Sequence, residues 1–119
     1  NIDSLAVASH PLALCDGQTV EPEDLVVFEI HYADRVGENY FSKSSHRHRF
    51  YYWSDMVRSE ALLIKQWDSG GNLAITEGAA GDQSGHPCTF SFHSAFVPDT
   101  QLLDAPDRWS IEVRCVVIY

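Results

Sequence analysis

The C-terminal stretch Ser110-Ile111-Glu112-Val113-Arg114-Cys115-Val116-Val117-Ile118 shows the clearest periodicity in the chain. Its even positions up to Arg114 are polar, whereas its odd positions are apolar. Successive side chains of a strand point to opposite faces, so this period of two predicts a β-strand with one apolar face. The stretch therefore favours a β-rich fold.

Further strand patterns occur upstream, and helix signals are few. Strands are predicted for the aromatic or apolar runs at 40–41, 50–53, 61–67, 89–93 and 110–118. Single helical turns are predicted for 19–25 and 54–60. Glycine and proline mark loops at 77–88 and 97–107. The simplest architecture is a jelly-roll or a part of one.

Length and charge exclude several classes of protein. The chain has 119 residues and a formal net charge of −9, with no internal repeat or linker. This length suits one domain. An acidic surface disfavours a nucleic-acid backbone or an anionic membrane as partner. No apolar run approaches the roughly 20 residues that span a bilayer. We therefore expect neither a nucleic acid nor a membrane as partner.

The chain contains three cysteines, at positions 15, 88 and 115, without a CxxC motif. An odd and sparse set is not a disulfide framework. We expect reduced, mostly buried thiols and a cytoplasmic protein. Strand-like sequence at 116–119 and the opening Asn1-Ile2-Asp3 leave two alternatives for the domain organisation. Residues 1–119 are either a single domain or the C-terminal fragment of a larger one.

Histidines are the first candidates for chemistry. His46 and His48 are two residues apart, so they would share a strand face and could bind a divalent metal together with His93. Metal-binding barrels with this motif place a glutamate shortly after the second histidine, where this chain has Trp53 and Ser54. A solvated loop around His46 and His48 is the alternative that we favour. From the residues alone, His93 also fits an ordinary histidine.

Several ordered blocks resemble one family over nearly the whole chain. They are Pro11–Asp16 with Val20–Leu25, His48–Trp53 with Asp55-Met56, Glu60–Ser69, His93–Phe96, Asp104–Pro106 and Arg108–Arg114. The set resembles the fungal family that includes the aspergillic-acid hydroxylase, the gibberellin desaturase and the novofumigatonin-pathway endoperoxide isomerase. Bacterial members are labelled cephamycin methoxylation proteins.

The resemblance implies a non-haem Fe(II)/2-oxoglutarate oxygenase on a double-stranded β-helix (jelly-roll), of which this chain is the C-terminal portion. Such enzymes hold iron with two histidines and one carboxylate and leave positions for 2-oxoglutarate and oxygen. The implied cofactors are Fe(II) and 2-oxoglutarate. The implied reaction is hydroxylation, desaturation or rearrangement of a small molecule of fungal secondary metabolism.

The resemblance also assigns roles to individual residues. His93 matches the distal histidine ligand of iron. Arg108 and Arg114 match the two arginines of the final strand, and either could clamp the distal carboxylate of 2-oxoglutarate bidentately. The remaining candidates for cofactor binding or the pocket are Ser110, in an Arg-x-Ser pair with Arg108, and Tyr51, Tyr52 and Lys65. For Lys65 the alternative is a solvated charge on a strand, which we favour. For Arg114 the alternative is an ion pair with Glu112.

One departure from the family pattern bears on function. The other two iron ligands come from a His-x-Asp pair on an earlier strand, and no such pair occurs in the 119 residues; His31 and Asp34 are one position too far apart. Two hypotheses follow. The chain is part of an oxygenase, with a small-molecule substrate and a missing N-terminal half or a second copy as partner. Alternatively, it is an inactive relative that acts as a binding module.

Overall fold

The secondary structure is mostly β. A computed structural model describes residues 1–68 and 88–118. Within them lie five strands: β1 (Leu12–Cys15), β2 (Leu25–His31), β3 (Val36–Ser42), β4 (Phe50–Tyr52) and β5 (His93–Ala95). Two 3₁₀ helices, η1 (Gly17–Thr19) and η2 (Pro22–Asp24), separate β1 from β2. No helix in the described part of the chain is long and apolar enough to cross a membrane.

The strands form two sheets. One sheet has three strands in the order β4-β1-β5, and the other is the β2-β3 pair. Strands β2 and β3 are antiparallel, with Leu25 opposite Ser42 and His31 opposite Val36. The prediction of a β-rich fold is confirmed. The described residues contain no closed barrel, so the double-stranded β-helix stays a prediction.

The chain divides into two compact units. The first unit comprises Asn1–Ala13, Tyr52–Leu63 and Ser94–Tyr119. Backbone bonds hold it together: the Ile2 N–H donates to the Trp109 carbonyl at 2.9 Å, and the Val7 N–H donates to the Met56 carbonyl at 3.0 Å. The buried Ser9 hydroxyl donates to the Pro106 carbonyl at 2.7 Å. The N-terminal segment is thus bound to residues far along the sequence.

The second unit comprises Leu14–Tyr51 and Ile64–His93 and contains a small apolar core. Cys15, Val20, Cys88 and Phe90 are buried there, and the partly buried Leu25, Tyr40 and Phe92 pack around them. The Tyr40 and Phe90 rings stack with centroids 5.3 Å apart. Close approach requires a glycine at position 17, because a Cβ there would lie 2.6 Å from the Cys88 carbonyl oxygen. The core therefore constrains the chain directly after β1.

The β2-β3 hairpin is the longest regular element of the described residues; the predicted strand at 40–41 lies within β3, whereas β2 was not among the predicted strands. Its first strand, Leu-Val-Val-Phe-Glu-Ile-His, is rich in β-branched and aromatic residues, which was the signal in the sequence. In the turn, the Tyr32 N–H donates to the Arg35 carbonyl at 2.8 Å, and the Arg35 guanidinium lies 4.4 Å from the centre of the Tyr32 ring. These contacts close the hairpin.

The predicted helical turn over 19–25 corresponds to η1 and η2. Asp16 caps η1 by accepting a hydrogen bond from the Gln18 N–H at 3.0 Å. Asp24 accepts the Glu21 N–H at 3.0 Å in η2, which begins with Pro22. A carboxylate in these positions satisfies N–H groups that have no partner within the helix. The cap residues thus explain why two short turns form here.

Several predicted elements differ from the structure. Residues 61–67 and 110–118 form no strand, residues 54–60 form turns without a helix, and β5 shares only His93 with the predicted strand 89–93. For the strand predictions the physical reason is that an apolar or alternating sequence only favours a strand, whereas a strand also requires hydrogen bonds to a neighbouring strand. Residues 97–107 are a loop, as predicted, and 77–87 lie outside the described residues.

The three thiols only partly match the prediction. All three cysteines are free, and Cys15 and Cys88 are buried. Cys115 is exposed, so the expectation of mostly buried thiols holds for two of them. Burial raises the pKa of the Cys15 and Cys88 thiols, because an apolar environment disfavours the thiolate.

Candidate functional site

The residues predicted to form the site are distributed over both units. The second unit contains His93, Lys65 and Tyr51, whereas the first unit contains Tyr52, Arg108, Ser110 and Arg114. Their environments are described separately for each unit.

His93 begins β5, and its side chain is exposed. Its Nδ1 lies 3.2 Å from the Ser91 carbonyl oxygen. A carbonyl oxygen only accepts, so this contact requires a ring proton on Nδ1, and in the neutral ring Nε2 then carries the lone pair. Metal-binding histidines are commonly oriented by such a bond from the other ring nitrogen. The local geometry of His93 is therefore compatible with its predicted role.

Lys65 is held by contacts within the second unit. Its ammonium pairs with the Asp68 carboxylate, and its carbonyl accepts the Ser91 N–H at 3.0 Å. The Lys65 side chain is also more than half exposed. An ammonium that is already paired is a poor candidate for a second carboxylate, so these contacts favour a structural role for Lys65.

The two arginines of the C-terminal segment belong to the first unit. Arg108 is half-buried, and Arg114 and Ser110 are exposed. Within residues 1–68 and 88–118, neither guanidinium forms an ion pair, so the expected alternative of an Arg114–Glu112 pair is not observed. Arg49 and Arg58 likewise form no ion pair among the described residues, so this feature alone does not distinguish Arg108 and Arg114. Within the described residues, neither guanidinium is engaged by a carboxylate, which is compatible with binding of an anionic ligand.

The tyrosines lie at the end of β4. Tyr52 is about half exposed and packs edge-on against Phe96, with ring centroids 4.9 Å apart. Tyr51 is exposed. The Phe96 contact fixes the Tyr52 ring within the first unit, which is compatible with a pocket residue.

A charged cluster in the second unit was missed by the sequence analysis. Asp24 is only 5% exposed and accepts hydrogen bonds from Arg47 Nη2 at 3.0 and 3.2 Å. It also contacts His48 Nε2 at 3.0 Å, and the His48 side chain is almost fully buried. A carboxylate only accepts, so His48 donates from Nε2. The sequence carried only a weak signal for this cluster: an acidic residue in a predicted helical turn, Asp24, and the basic pair Arg47-His48 more than twenty residues later.

The donors around Asp24 lower its pKa below the ordinary value. The largest cause is the hydrogen bond from the Glu21 N–H, which lowers the pKa of Asp24. Burial opposes this effect by raising the pKa, whereas the hydrogen bonds from His48 and Arg47 lower it further. Asp24 therefore stays ionised and fastens the loop between β3 and β4 to η2. Its geometry defines a structural clasp, made of Asp24, Arg47 and His48, rather than a ligand site.

The alternative metal site of His46, His48 and His93 is not formed. His48 is engaged by Asp24, and His46 is exposed. Among the described residues, no group of three His, Cys, Asp or Glu side chains could hold a metal ion. The described residues therefore contain no complete set of three donors for iron.

Comparison with known proteins identifies the family. The family described as an oxidoreductase/YMDC permease-like domain matches residues 2–118. The Fe(II)/2-oxoglutarate-dependent dioxygenase nvfI of Aspergillus novofumigatus is 36% identical over 93% of this chain and 36% of its own length. The aspirochlorine biosynthesis protein N of Aspergillus oryzae is 34% identical over 95% of this chain and 43% of its own length.

A third relative, the hydroxylase/desaturase efuI of Hormonema carpetanum, is 29% identical over 95% of this chain and 37% of its own length. No solved structure matches the chain significantly. The match over residues 2–118 shows that the chain belongs to the oxidoreductase-like family whose curated relatives are fungal dioxygenases and hydroxylase/desaturases. The resemblance seen in the sequence is thereby confirmed. The chain spans about two fifths of the length of these relatives.

Proposed function

We propose that this chain is part of a non-haem Fe(II)/2-oxoglutarate oxygenase that acts on a small natural product. The name of the relative from Aspergillus novofumigatus specifies Fe(II) and 2-oxoglutarate, and other relatives are hydroxylase/desaturases. In this proposal the jelly-roll is completed by a part of the protein outside the 119 residues. The shared length of about two fifths supports this arrangement.

The chain contributes His93 as one iron ligand. The hydrogen bond from Nδ1 to the Ser91 carbonyl orients the ring and leaves Nε2 for the metal. The sequence contains no His-x-Asp pair, and the described residues contain no group of three metal donors. The remaining ligands are therefore proposed to come from outside the 119 residues, and no reaction step through iron follows from this chain alone.

The observation that carries the proposal is that Arg108 and Arg114, which match the two arginines of the family's final strand, form no ion pair within the described residues. A guanidinium binds a carboxylate through two parallel hydrogen bonds. Either residue is proposed to hold the distal carboxylate of 2-oxoglutarate, with Ser110 as a further hydrogen-bond donor and Tyr52, which belongs to the same unit, as a pocket residue. Lys65 is the remaining candidate, although its pairing with Asp68 argues against it.

Binding of 2-oxoglutarate to the 119-residue chain tests this role without iron or turnover. We expect Arg108→Ala or Arg114→Ala to weaken binding, measured by titration calorimetry, by roughly 30- to 150-fold, since one charge-assisted bidentate contact is worth about 2–3 kcal/mol. Arg35→Ala is the matched control, because Arg35 pairs with Asp34 in the hairpin turn. Pyruvate lacks the distal carboxylate, so it should bind the native chain and the two variants Arg108→Ala and Arg114→Ala equally weakly. Unchanged affinity in both arginine variants would contradict the clamp.

The second hypothesis is an inactive relative that acts as a binding module. The observation in its favour is the lack of a three-donor group among the described residues. Anaerobic titration with Fe(II) and 2-oxoglutarate distinguishes the two when it is carried out on a longer protein that includes the proposed parts outside the 119 residues, because the isolated chain supplies only one iron ligand under the first hypothesis. A visible charge-transfer band that is lost in His93→Ala supports iron ligation. Tight 2-oxoglutarate binding without any such band supports the binding module.

A further inference from the structure

A buried hydroxyl joins the N-terminal segment to the backbone just before Arg108. Ser9 is only 1% exposed, and its hydroxyl donates to the Pro106 carbonyl at 2.7 Å, 97 residues away in the sequence. Three residues after Pro106, the Trp109 carbonyl accepts the Ile2 N–H at 2.9 Å. The backbone is therefore held two residues before Arg108 and one residue after it, by contacts that all lie within the first unit.

The residue after Ser9 has a strained backbone that contacts the same loop. His10 has a φ of 46°, in the left-handed region that non-glycine residues adopt infrequently. Such a conformation persists only where the surrounding contacts maintain it, and these contacts often belong to functional sites. The His10 N–H donates to Gln101 Oε1 at 3.1 Å. Ser9 and His10 thus hold the loop 97–107 at two points, Pro106 and Gln101.

The two candidate clamps for 2-oxoglutarate differ in their surroundings. Arg108 is half-buried and lies between two fixed backbone positions, whereas Arg114 is exposed. Neither forms an ion pair within the described residues. A side chain that is already restricted loses less conformational freedom when it binds a ligand, and its affinity is correspondingly higher. Arg108 is therefore the better pre-organised of the two.

We propose that Ser9 is a positioning residue for Arg108: its hydroxyl fixes the Pro106 carbonyl and thereby holds the Arg108 backbone in the position from which the guanidinium binds the distal carboxylate of 2-oxoglutarate. This inference rests on the proposed function, because it takes Arg108 as the clamp. Without the hydroxyl, the Pro106 carbonyl loses its donor and the backbone before Arg108 gains freedom. The ligand must then restrict that freedom on binding, which lowers its affinity.

Titration calorimetry of the 119-residue chain with 2-oxoglutarate measures the effect. Ser9→Ala removes the donor and should raise the dissociation constant roughly three- to tenfold, the change that one hydrogen bond produces. Ser4→Ala is the matched control and should leave the constant unchanged, because the Ser4 hydroxyl is exposed and bonds to the neighbouring Asp3 carboxylate. Gln101→Ala removes the acceptor of the His10 N–H at a half-buried position and should weaken binding in the same direction. It keeps the test decisive if Ser9→Ala does not fold, which far-UV circular dichroism reveals.

A double-mutant cycle separates positioning from a general structural effect. If Ser9 acts through Arg108, Ser9→Ala should change the affinity less than about twofold in the Arg108→Ala background and keep its full effect in the Arg114→Ala background. The NMR signal of the Arg108 Nε–H group, assigned by its loss in Arg108→Ala, gives a second measurement without any ligand. Its heteronuclear NOE should fall in Ser9→Ala, because the side chain moves more freely, and stay unchanged in Ser4→Ala.

The outcomes distinguish this inference from the function on which it rests. Unchanged affinity in Ser9→Ala and Gln101→Ala, together with a loss in Arg108→Ala, overturns the positioning role and leaves the clamp intact. A full effect of Ser9→Ala in the Arg108→Ala background overturns the positioning role as well. A native chain that does not bind 2-oxoglutarate, or a loss of affinity in Arg114→Ala without one in Arg108→Ala, overturns Arg108 as the clamp and the inference with it.

Discussion

The clasp of Asp24, Arg47 and His48 allows the most specific prediction about stability. Replacing Asp24 by Ala removes the acceptor of three donors, namely the Glu21 N–H, Arg47 Nη2 and His48 Nε2. The loss of the cap costs about 1 kcal/mol. His48 is nearly buried and cannot regain a water partner, which costs roughly another 1–3 kcal/mol. Arg47 is half exposed and contributes about 0.5 kcal/mol.

We therefore expect Asp24→Ala to lower the free energy of unfolding by about 3 kcal/mol, measured by urea denaturation followed by far-UV circular dichroism. Asp24→Asn keeps the shape of the side chain and one acceptor oxygen, so we expect it to lower the free energy of unfolding by about half as much as Asp24→Ala. Asp34→Asn is the matched control: Asp34 pairs with Arg35, but both side chains are exposed, and the effect should stay within about 0.5 kcal/mol. If Asp24→Ala behaves like this control, the clasp does not stabilise the unit.

The pH dependence of the free energy of unfolding of the same variants tests the electrostatic contribution of ionised Asp24. Because the folded-state pKa of Asp24 lies below its ordinary value of 3.8, its ionisation stabilises the fold fully above that pH. The contribution is lost as the pH falls through the lowered pKa and the carboxylate becomes protonated. The stability difference between the native chain and Asp24→Asn should therefore be constant above about pH 5 and shrink below about pH 4. A difference that persists unchanged to lower pH would contradict the assignment.

Two further predictions concern the core of the second unit and the exposed thiol. Gly17→Ala should lower the free energy of unfolding, measured in urea, by about 1–3 kcal/mol, because its Cβ would meet the Cys88 carbonyl oxygen at 2.6 Å. Gly37→Ala should cost clearly less, because the nearest atom to its Cβ would belong to the movable Tyr32 ring, at 3.3 Å. Equal losses in the two variants would refute the steric argument. Of the three thiols, only that of Cys115 should react rapidly with Ellman's reagent in the native chain, because Cys15 and Cys88 are buried and burial raises the pKa of both. Cys115→Ser should remove the fast phase of the reaction, and a fast phase that survives would show that a buried thiol is accessible.

Local signals explain what could be predicted about the fold. The aromatic run at 50–53 forms β4, and the prolines at 97–107 mark a loop. The acids around Pro22 form short helical turns, because a cap acts on N–H groups within three residues. The aromatic residues at 40–41 marked part of β3, whereas β2 had a comparable local signal in its β-branched residues that was not among the predicted strands. The free thiols also agree with the cysteine spacing.

The candidate site was only partly accessible to sequence reasoning. The family and its cofactor chemistry were evident from ordered blocks of residues, and the comparisons confirm the family. The orientation of the His93 ring depends on the Ser91 carbonyl, which no spacing rule specifies. Likewise, the pairing of Lys65 with Asp68 and the lack of an ion pair at Arg114 within the described residues emerged only from the structure.

The amino-acid sequence by itself determined the β-rich character, the family and the alternation of residues 110–118, because each depends on residue types at short or fixed spacing. Tertiary structure decided which of these patterns become strands, since pairing requires backbone groups that are distant in sequence. Asp24 shows the same contrast: its place in the cap is local, whereas its burial and its bonds to Arg47 and His48 arise only when residues more than twenty positions apart meet.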